Sequence, residues 1–300
     1  MRNWQKAHLT GIGSLLITTL MYSLFPVFSR IIGTDISLFF LSFVRSLLPM
    51  TVLGLIIWYR KEWKSIKKSD WKFLIGRTAL GGIAFIFSYY AFNNIAVGTV
   101  YLIFYAFSTI GGYALGTVLF NEKISQTRML SLILVLIGLS LVYSFSFEVE
   151  KVKFILFSVI SGLANSVWMV FAKKVSGDYS ATFINFWDFL FFSLLYLILS
   201  IVLREAWTLP VANLVWGANM LFGIMFLFTG QLIIVGFDRL PAQIATLIML
   251  SEVVFGVILG WWLYGEVLAP LSFVGGALIL LGIALPEWLS WKKGVKAAAQ

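Results

Sequence analysis

The sequence has no cysteine and only one histidine among its 300 residues. A chain without cysteine cannot form a disulfide or a thiolate metal site, and the single imidazole of His8 cannot build a histidine cluster around a metal ion. No nucleotide-binding or cofactor-binding motif is present either. The sequence therefore predicts a protein that holds neither a metal nor a cofactor.

Charged residues are also scarce. They make up 12% of the chain, whereas hydrophobic residues make up 60%, and the mean hydropathy is +0.95. A water-soluble protein carries roughly 25% charged residues. Apolar runs of about 20 residues, the length of a transmembrane helix, follow one another along the chain. These properties predict an all-α integral membrane protein that is surrounded by lipid.

The formal net charge of +9 does not indicate a nucleic-acid partner. Most Lys and Arg residues lie in short connections between apolar runs, where basic side chains orient the spans and meet anionic lipid headgroups. Binding to nucleic acid is therefore not expected.

Ten apolar windows predict ten transmembrane helices, approximately at residues 10–32, 36–58, 71–92, 95–119, 128–145, 153–174, 180–203, 213–236, 241–264 and 269–288. With both termini in the cytoplasm, the segments on that side hold sixteen Lys and Arg residues and those on the other side hold four. This bias follows the positive-inside rule, and nine or eleven spans would lose it. The short loops are typical of a protein of the bacterial inner (cytoplasmic) membrane.

The two halves of the chain are related by a shift of 144 residues. The aligned pairs include Gly112 with Gly256, Gly116 with Gly260, Glu122 with Glu266, and Gly138 with Gly282. Because each half has an odd number of spans, the second half must cross the membrane in the opposite direction. We therefore predict two inverted five-helix repeats, residues 1–146 and 147–300, which together form one transport domain.

Each repeat has a G-x-x-x-G motif at the matched place. Small residues four positions apart allow two helix backbones to approach closely in a membrane. We expect all four glycines to serve helix packing. The matched loop residues Glu122 and Glu266 are predicted to form a gate or a bond that fixes a loop.

Two pairs of segments resemble a known family. They are "GTVLFNEKIS" with "GWWLYGEVLA", and "LILVLIGLSLVY" with "GALILLGIAL". With these motifs the chain resembles the ten-helix, EamA-type members of the drug/metabolite transporter superfamily over nearly its whole length. The resemblance implies a secondary transporter that works by alternating access, in a family of exporters of amino acids and other small metabolites. Ser108 and Val253 replace the proline often found midway along the fourth helix of each repeat, so a proline kink is not supported there.

Three charged residues lie far from the predicted span ends. At a rise of about 1.5 Å per residue, Glu252 lies roughly 17 Å and Asp188 roughly 12 Å from the inner face, and Arg45 about 14 Å from the outer one. In a hydrocarbon core about 30 Å thick, all three fall near one level and could meet in a central cavity. Each is costly there unless it faces a cavity or a partner.

Glu252 is the first candidate, as the partner of a substrate amine or as a protonatable coupling group. The alternative is a structural ion pair with Arg45 or a bond to a polar neighbour. Asp188 is a candidate of the same kind. Arg45 is expected either to bind a substrate carboxylate or to pair with one of the acids.

The remaining candidates are weaker. Arg77 lies about six residues into its helix, so its side chain is expected to snorkel to the inner headgroups. An aromatic wall would suit an amine through cation–π attraction, and buried amides need polar partners. For each of these side chains, packing or interhelical hydrogen bonding is the alternative. The aromatic and amide candidates are Trp168, Trp187, Tyr89, Tyr105, Asn165 and Gln231.

The sequence predicts no enzyme. It contains no G-x-S-x-G, H-E-x-x-H or P-loop motif, which also excludes ATP-driven pumping by this chain. The function expected is export of amino acids or related amine-bearing metabolites, coupled to protons or to solute exchange. The alternative is a carrier of nucleotide sugars or other phosphorylated metabolites, which should favour basic residues in the cavity. The sequence leaves the oligomeric state open.

Overall fold

The computed structural model describes residues 2–32, 37–95, 97–143, 151–265 and 269–298. The regular structure of these residues is helical throughout, and no strand occurs in them. The predicted all-α class is therefore confirmed for the described part of the chain.

The described residues form twelve helices. They are α1 (Arg2–Tyr22), α2 (Phe25–Ile32), α3 (Leu38–Arg60), α4 (Lys68–Phe92), α5 (Val97–Phe120), α6 (Gln126–Val142), α7 (Val152–Val175), α8 (Ala181–Val202), α9 (Leu214–Arg239), α10 (Ala242–Met249), α11 (Ser251–Tyr264) and α12 (Pro270–Ala298). Two predicted spans are each divided into two helices, the first into α1 and α2 and the ninth into α10 and α11. The twelve helices are therefore consistent with ten spans.

Length and composition support this assignment. Seven segments of the described chain are long and apolar enough to cross a membrane, and Gln126–Val142 and Pro270–Pro286 are shorter apolar helices. The predicted span ends were least accurate at the termini of the chain. Helix α1 begins at Arg2 and not near residue 10, and α12 ends at Ala298 and not near residue 288.

Matched helices of the two halves pack against each other in antiparallel pairs. A Cβ atom on Gly138, late in α6, would lie 2.7 Å from the carbonyl oxygen of Gly275, early in α12. Gly112, in the second half of α5, lies just as closely against Thr246 of α10. Helices α3 and α8 form a third such pair. This is the relation that an inverted repeat produces.

Four helices end in the same local structure. Lys61, Asn121, Arg204 and Gly265 have φ values of 54°, 52°, 53° and 62°. Such a left-handed residue is a common helix terminator. The four residues form two matched pairs, 61 with 204 and 121 with 265, and a glutamate follows each of them. The pair "RKEW" and "REAW" is a repeat signal that the sequence analysis missed.

Candidate functional site

The two divided spans lie side by side. Helix α1 ends at Tyr22, and α10 gives way to α11 at Leu250. The hydroxyl oxygens of Thr19 and Ser251 are 2.7 Å apart and connect the two spans next to their interruptions. Interrupted helices in the middle of a membrane are typical of substrate sites in secondary transporters.

The two interruptions have different local causes. Pro26 has no N–H to donate to the carbonyl of Tyr22, so a continuous helix would lack one of its hydrogen bonds at this point. At Leu250 the N–H groups of Leu250 and Val253 bond three residues back, at 3.0 and 3.1 Å, which tightens the turn. The ninth span is thus interrupted even though Val253 stands at the position where the resembling transporters often have a proline.

Glu252 lies directly after the second interruption, in the first turn of α11. The amino end of a helix favours a carboxylate at this position. The Tyr105 hydroxyl is the polar side-chain group that acts on this carboxylate at short range. The ring of Tyr101 stacks on those of Tyr105 and Tyr143, with centroid distances of 5.7 Å in both cases. Among the described residues, no basic side chain forms an ion pair with the half-buried Glu252.

Tyr22 connects Glu252 to the other polar groups of the bundle. Its hydroxyl faces Thr229 of α9, and the charges of Glu252, Arg77 and Asp188 act on it. The structure therefore brings together Glu252, Tyr105 and Tyr22 from three different spans.

Asp188 is paired with a cation from the other half of the chain. Its Oδ2 lies 2.7 Å from Nε of Arg77, and both side chains are almost fully buried. Arg77 also donates to the carbonyl of Trp168, and its Cζ lies 4.6 Å from the Trp168 ring centroid. The prediction that Arg77 snorkels to the headgroups is wrong, because the ion pair holds the guanidinium inside the bundle.

Arg45 does not meet Glu252 or Asp188. Its side chain is 7% exposed, its Nη2 donates to Ser42 Oγ at 3.1 Å, and its Cζ lies 4.4 Å from the centroid of Phe222. No carboxylate of the described chain lies within ion-pair distance of it. The expected pairing of Arg45 with an acid is therefore wrong.

Two predicted aromatic residues lie away from Glu252. Trp187 packs edge to face on Trp71 at a centroid distance of 5.7 Å, and Tyr89 packs on Phe39 at 6.0 Å. Both take part in aromatic packing between helices, as the alternative interpretation proposed. The Glu252 charge acts on four tyrosines, Tyr22, Tyr101, Tyr105 and Tyr143, of which the sequence predicted only Tyr105 for the site.

The two amide candidates have different surroundings. Asn165 of α7 donates to Ser108 of α5 at 3.0 Å, so it joins two helices. Gln231 of α9 has a buried Nε2 without a hydrogen-bond partner among the described residues. Asn165 therefore has the structural role that is the default for a membrane amide.

One end of the bundle, here called the basic face, contains the α3–α4, α5–α6, α7–α8 and α9–α10 connections, where most basic residues lie. At this face the carboxylate of Glu122 accepts hydrogen bonds from the backbone N–H groups of Ala242 and Gln243, at 2.5 and 3.1 Å. The Gln243 side chain accepts from Arg128 at 2.9 Å and donates to Thr117 at 3.1 Å. Glu122 thus joins the two repeats, as expected of a gate or loop-fixing residue.

A second set of bonds joins the α3–α4 and α7–α8 connections at the basic face. Lys67 Nζ lies 2.6 Å from Asp178 Oδ1, and this hydrogen bond raises the pKa of Lys67. Glu62 accepts a hydrogen bond of 2.9 Å from Ser180, the N-cap residue of α8.

At the opposite face, a glutamate again joins two helices, but the matched glycine is packed differently. Glu205 accepts from the backbone N–H groups of Phe39 and Phe40, at 3.1 and 2.7 Å, so α3 and α8 are joined here as well. The matched glycines differ, however. A Cβ atom on Gly112 would lie 2.3 Å from Thr246 Oγ1, whereas one on Gly256 meets no described atom within 4 Å.

The packing predicted for the second G-x-x-x-G motif is therefore wrong at Gly256. At Gly260 the described contact is within the helix end, where its carbonyl accepts the N–H of Gly265. Gly116, in contrast, packs against Gln243 and Glu122 as expected. Glu266 lies outside the described residues. Gly112 and Gly116 are therefore closely packed towards the basic face, whereas the described surroundings of Gly256 leave space for a side chain.

Comparison with known proteins identifies relatives over nearly the whole chain. The sequence pattern of the EamA-like transporter family matches twice, at residues 9–144 and 152–286. Two proteins from different strains of Helicobacter pylori, each described as an uncharacterized transporter, are 26% identical over 96% of this chain and 98% of their own length. A protein of known crystal structure has the same fold, with a TM-score of 0.79 at 18% identity over 95% of this chain and 99% of its own.

Proposed function

Because the chain belongs to the EamA-like transporter family, in the drug/metabolite transporter superfamily, we propose that it is a secondary transporter that exports amino acids or related small amine-bearing metabolites. The transport cycle is alternating access, coupled either to protons or to exchange with another solute. The site lies at the two helix interruptions around Glu252.

The observation that carries this proposal is the environment of Glu252. It is a carboxylate deep in a membrane span, at the amino end of α11, with a tyrosine as its polar neighbour and no ion-pair partner in the described chain. Such a charge is costly unless it meets a cavity, a proton or a ligand. An ammonium group would neutralise it, and the faces of Tyr101 and Tyr105 would add cation–π attraction.

Asp188 has no such role in the proposal. Arg77 already neutralises it at 2.7 Å, so a substrate amine would gain little from it. This leaves Glu252 as the acid that binds the amine or carries the coupling proton.

The unequal faces support alternating access. Close packing of Gly112 on Thr246 and the Glu122 bonds to α10 hold the repeats together at the basic face, while a Cβ atom on Gly256 would meet no described atom within 4 Å on the other side. A transporter with inverted repeats exchanges such contacts between its two faces.

In the membrane, the positive-inside rule places the basic face in the cytoplasm. Both termini then lie on that side, and we infer that the contacts of the basic face keep the transporter closed to the cytoplasm. We assign the protein to the inner membrane of a bacterial cell.

A thermal-shift screen tests the substrate class. The purified protein and its Glu252→Gln variant are compared at two pH values with amines, amino acids, nucleotides and sugar phosphates. Stabilisation by an amine or amino acid that disappears in the variant supports the proposal. Stabilisation by phosphorylated compounds that persists in the variant contradicts it and favours the carrier of phosphorylated metabolites.

A further inference from the structure

Arg45 carries a charge that no described residue neutralises. Its side chain is 7% exposed, it lies within the span of α3, and it makes one side-chain hydrogen bond, to Ser42 Oγ. A guanidinium has five N–H donors and cannot lose its proton in a protein. A buried charge of this kind draws an anion to itself.

The aromatic neighbours of Arg45 leave its donors available. Its Cζ lies 4.4 Å from the centroid of Phe222 and 5.4 Å from that of Phe226. A guanidinium carries five N–H donors, and one hydrogen bond, to Ser42 Oγ, is described for Arg45. A carboxylate or phosphate is the partner that suits the remaining donors of a guanidinium.

Two aromatic rings connect Arg45 to Glu252. Phe226 lies beside Arg45, and its ring centroid is 6.0 Å from that of Tyr22. Tyr22 lies about one helical turn after Thr19, whose hydroxyl is 2.7 Å from that of Ser251, the residue before Glu252. Both rings are half-buried, so each keeps an accessible surface. Arg45 and Glu252 are thus two unneutralised charges of opposite sign at the ends of an aromatic path.

The other charges near this path cancel each other. Arg77 and Asp188 are also neighbours of Tyr22, but they form an ion pair with each other. Within the described part of the spans, the path therefore offers one anionic end and one cationic end.

We propose that Arg45 binds the anionic end of the transported molecule, whose ammonium group binds Glu252, and that the substrate is an elongated zwitterion. Because two aromatic rings lie between Arg45 and Glu252, a zwitterion that binds both needs a wider separation of its charged groups than an α-amino acid offers, in which both groups are attached to one carbon atom. An ω-amino acid or a short peptide provides this separation, and its middle part packs on Tyr22 and Phe226. This inference rests on the proposed function, because it takes Glu252 as the amine site.

Isomeric ligands test the proposal. The dissociation constants of 6-aminohexanoate, its isomer 2-aminohexanoate, and hexylamine are measured on the purified protein, together with a series of ω-amino acids of increasing length. We expect 6-aminohexanoate or a longer homologue to bind at least about tenfold more tightly than 2-aminohexanoate and hexylamine, where tenfold corresponds to about 1.4 kcal/mol. Equal affinities for the two isomers and the whole series would overturn the inference.

Variants of Arg45 assign the anionic end. In Arg45→Gln we expect the affinity for the ω-amino acid to fall to that for hexylamine, while hexylamine binds as in the wild type, which also shows that the variant is folded. Arg45→Lys should retain part of the preference, and Ser42→Ala, which keeps the charge, should retain most of it. A preference unchanged in Arg45→Gln overturns the inference but leaves the proposed function intact. Failure of every amine to bind the wild type overturns both.

Discussion

Arg77 and Asp188 form an ion pair across the two halves of the chain, with Nε and Oδ2 2.7 Å apart and both side chains almost fully buried. The pair joins α4 to α8. Removing one partner leaves the other as an unpaired charge inside the bundle, whereas removing both does not. The pair is therefore a structural bond, although the sequence indicated two separate functional candidates.

This relation predicts unequal effects of single and double substitutions. Asp188→Asn should lower the free energy of unfolding by about 3–5 kcal/mol, because Arg77 stays charged and buried. The double variant Arg77→Met with Asp188→Leu should recover most of that loss. Thermal unfolding in detergent measures both. A single variant as stable as the wild type would show that the pair does not hold α4 to α8.

The unequal packing of the matched glycines Gly112 and Gly256 predicts unequal effects of their substitution on the melting temperature. Gly112→Ala places a Cβ 2.3 Å from Thr246 Oγ1, whereas Gly256→Ala meets no described atom within 4 Å. Overpacking of a close contact costs about 1–3 kcal/mol, so Gly112→Ala should lower the melting temperature and Gly256→Ala should not. Equal melting temperatures would contradict the unequal packing of the two faces.

The bonds of Glu122 predict how the basic face opens. Glu122→Ala leaves the N–H groups of Ala242 and Gln243 unpaired, at a cost of about 1–3 kcal/mol each. The contact between α5 and α10 should loosen. Since the chain has no cysteine, Thr246→Cys provides a single thiol for labelling, and this buried position should react several-fold faster with a maleimide in the Glu122→Ala background. Asp238→Asn, a change at the same face outside this contact, is the control and should leave the rate unchanged.

Helices α3 and α8 are joined at both ends, by Glu62 with Ser180 and by Glu205 with the start of α3. We predict that this pair moves as one unit during transport. A disulfide between Glu62→Cys and Ser180→Cys should leave transport unchanged. A disulfide between Thr117→Cys and Gln243→Cys should stop transport until it is reduced, because it locks the basic face. Loss of transport in the first variant upon oxidation, and recovery upon reduction, would show that α3 and α8 separate.

The family and the helical class could be predicted from the sequence because hydropathy and the repeated loop motifs report them directly. The interruption at Leu250 could not, since it arises from a tightened turn in an unbroken apolar run and not from a proline. The correspondence of Glu62 with Glu205 was visible in "RKEW" and "REAW". A shift of 144 residues does not align the two glutamates, because Glu205 lies one residue before the position that matches Glu62.

The site was predictable in part. Glu252 could be selected because a carboxylate within an apolar span is costly unless it has a function or a partner. Tyr105, which was also selected, is its polar neighbour in the structure. The depth of a residue along its helix did not predict its ion-pair partner. Arg77 pairs with Asp188, whereas Arg45 pairs with no described acid. The direction of each side chain depends on how the helices pack, which a single sequence does not report.

The central claim is that Glu252 binds the substrate amine or carries the coupling proton. The most direct test is uptake of an amine or amino acid into proteoliposomes, with and without a pH gradient, by the wild type, Glu252→Gln and the control Asp238→Asn. We predict that Glu252→Gln loses coupled transport while its thermal unfolding stays like that of the wild type, and that the control transports normally. Transport by Glu252→Gln at the wild-type rate and with the same pH dependence would contradict the claim.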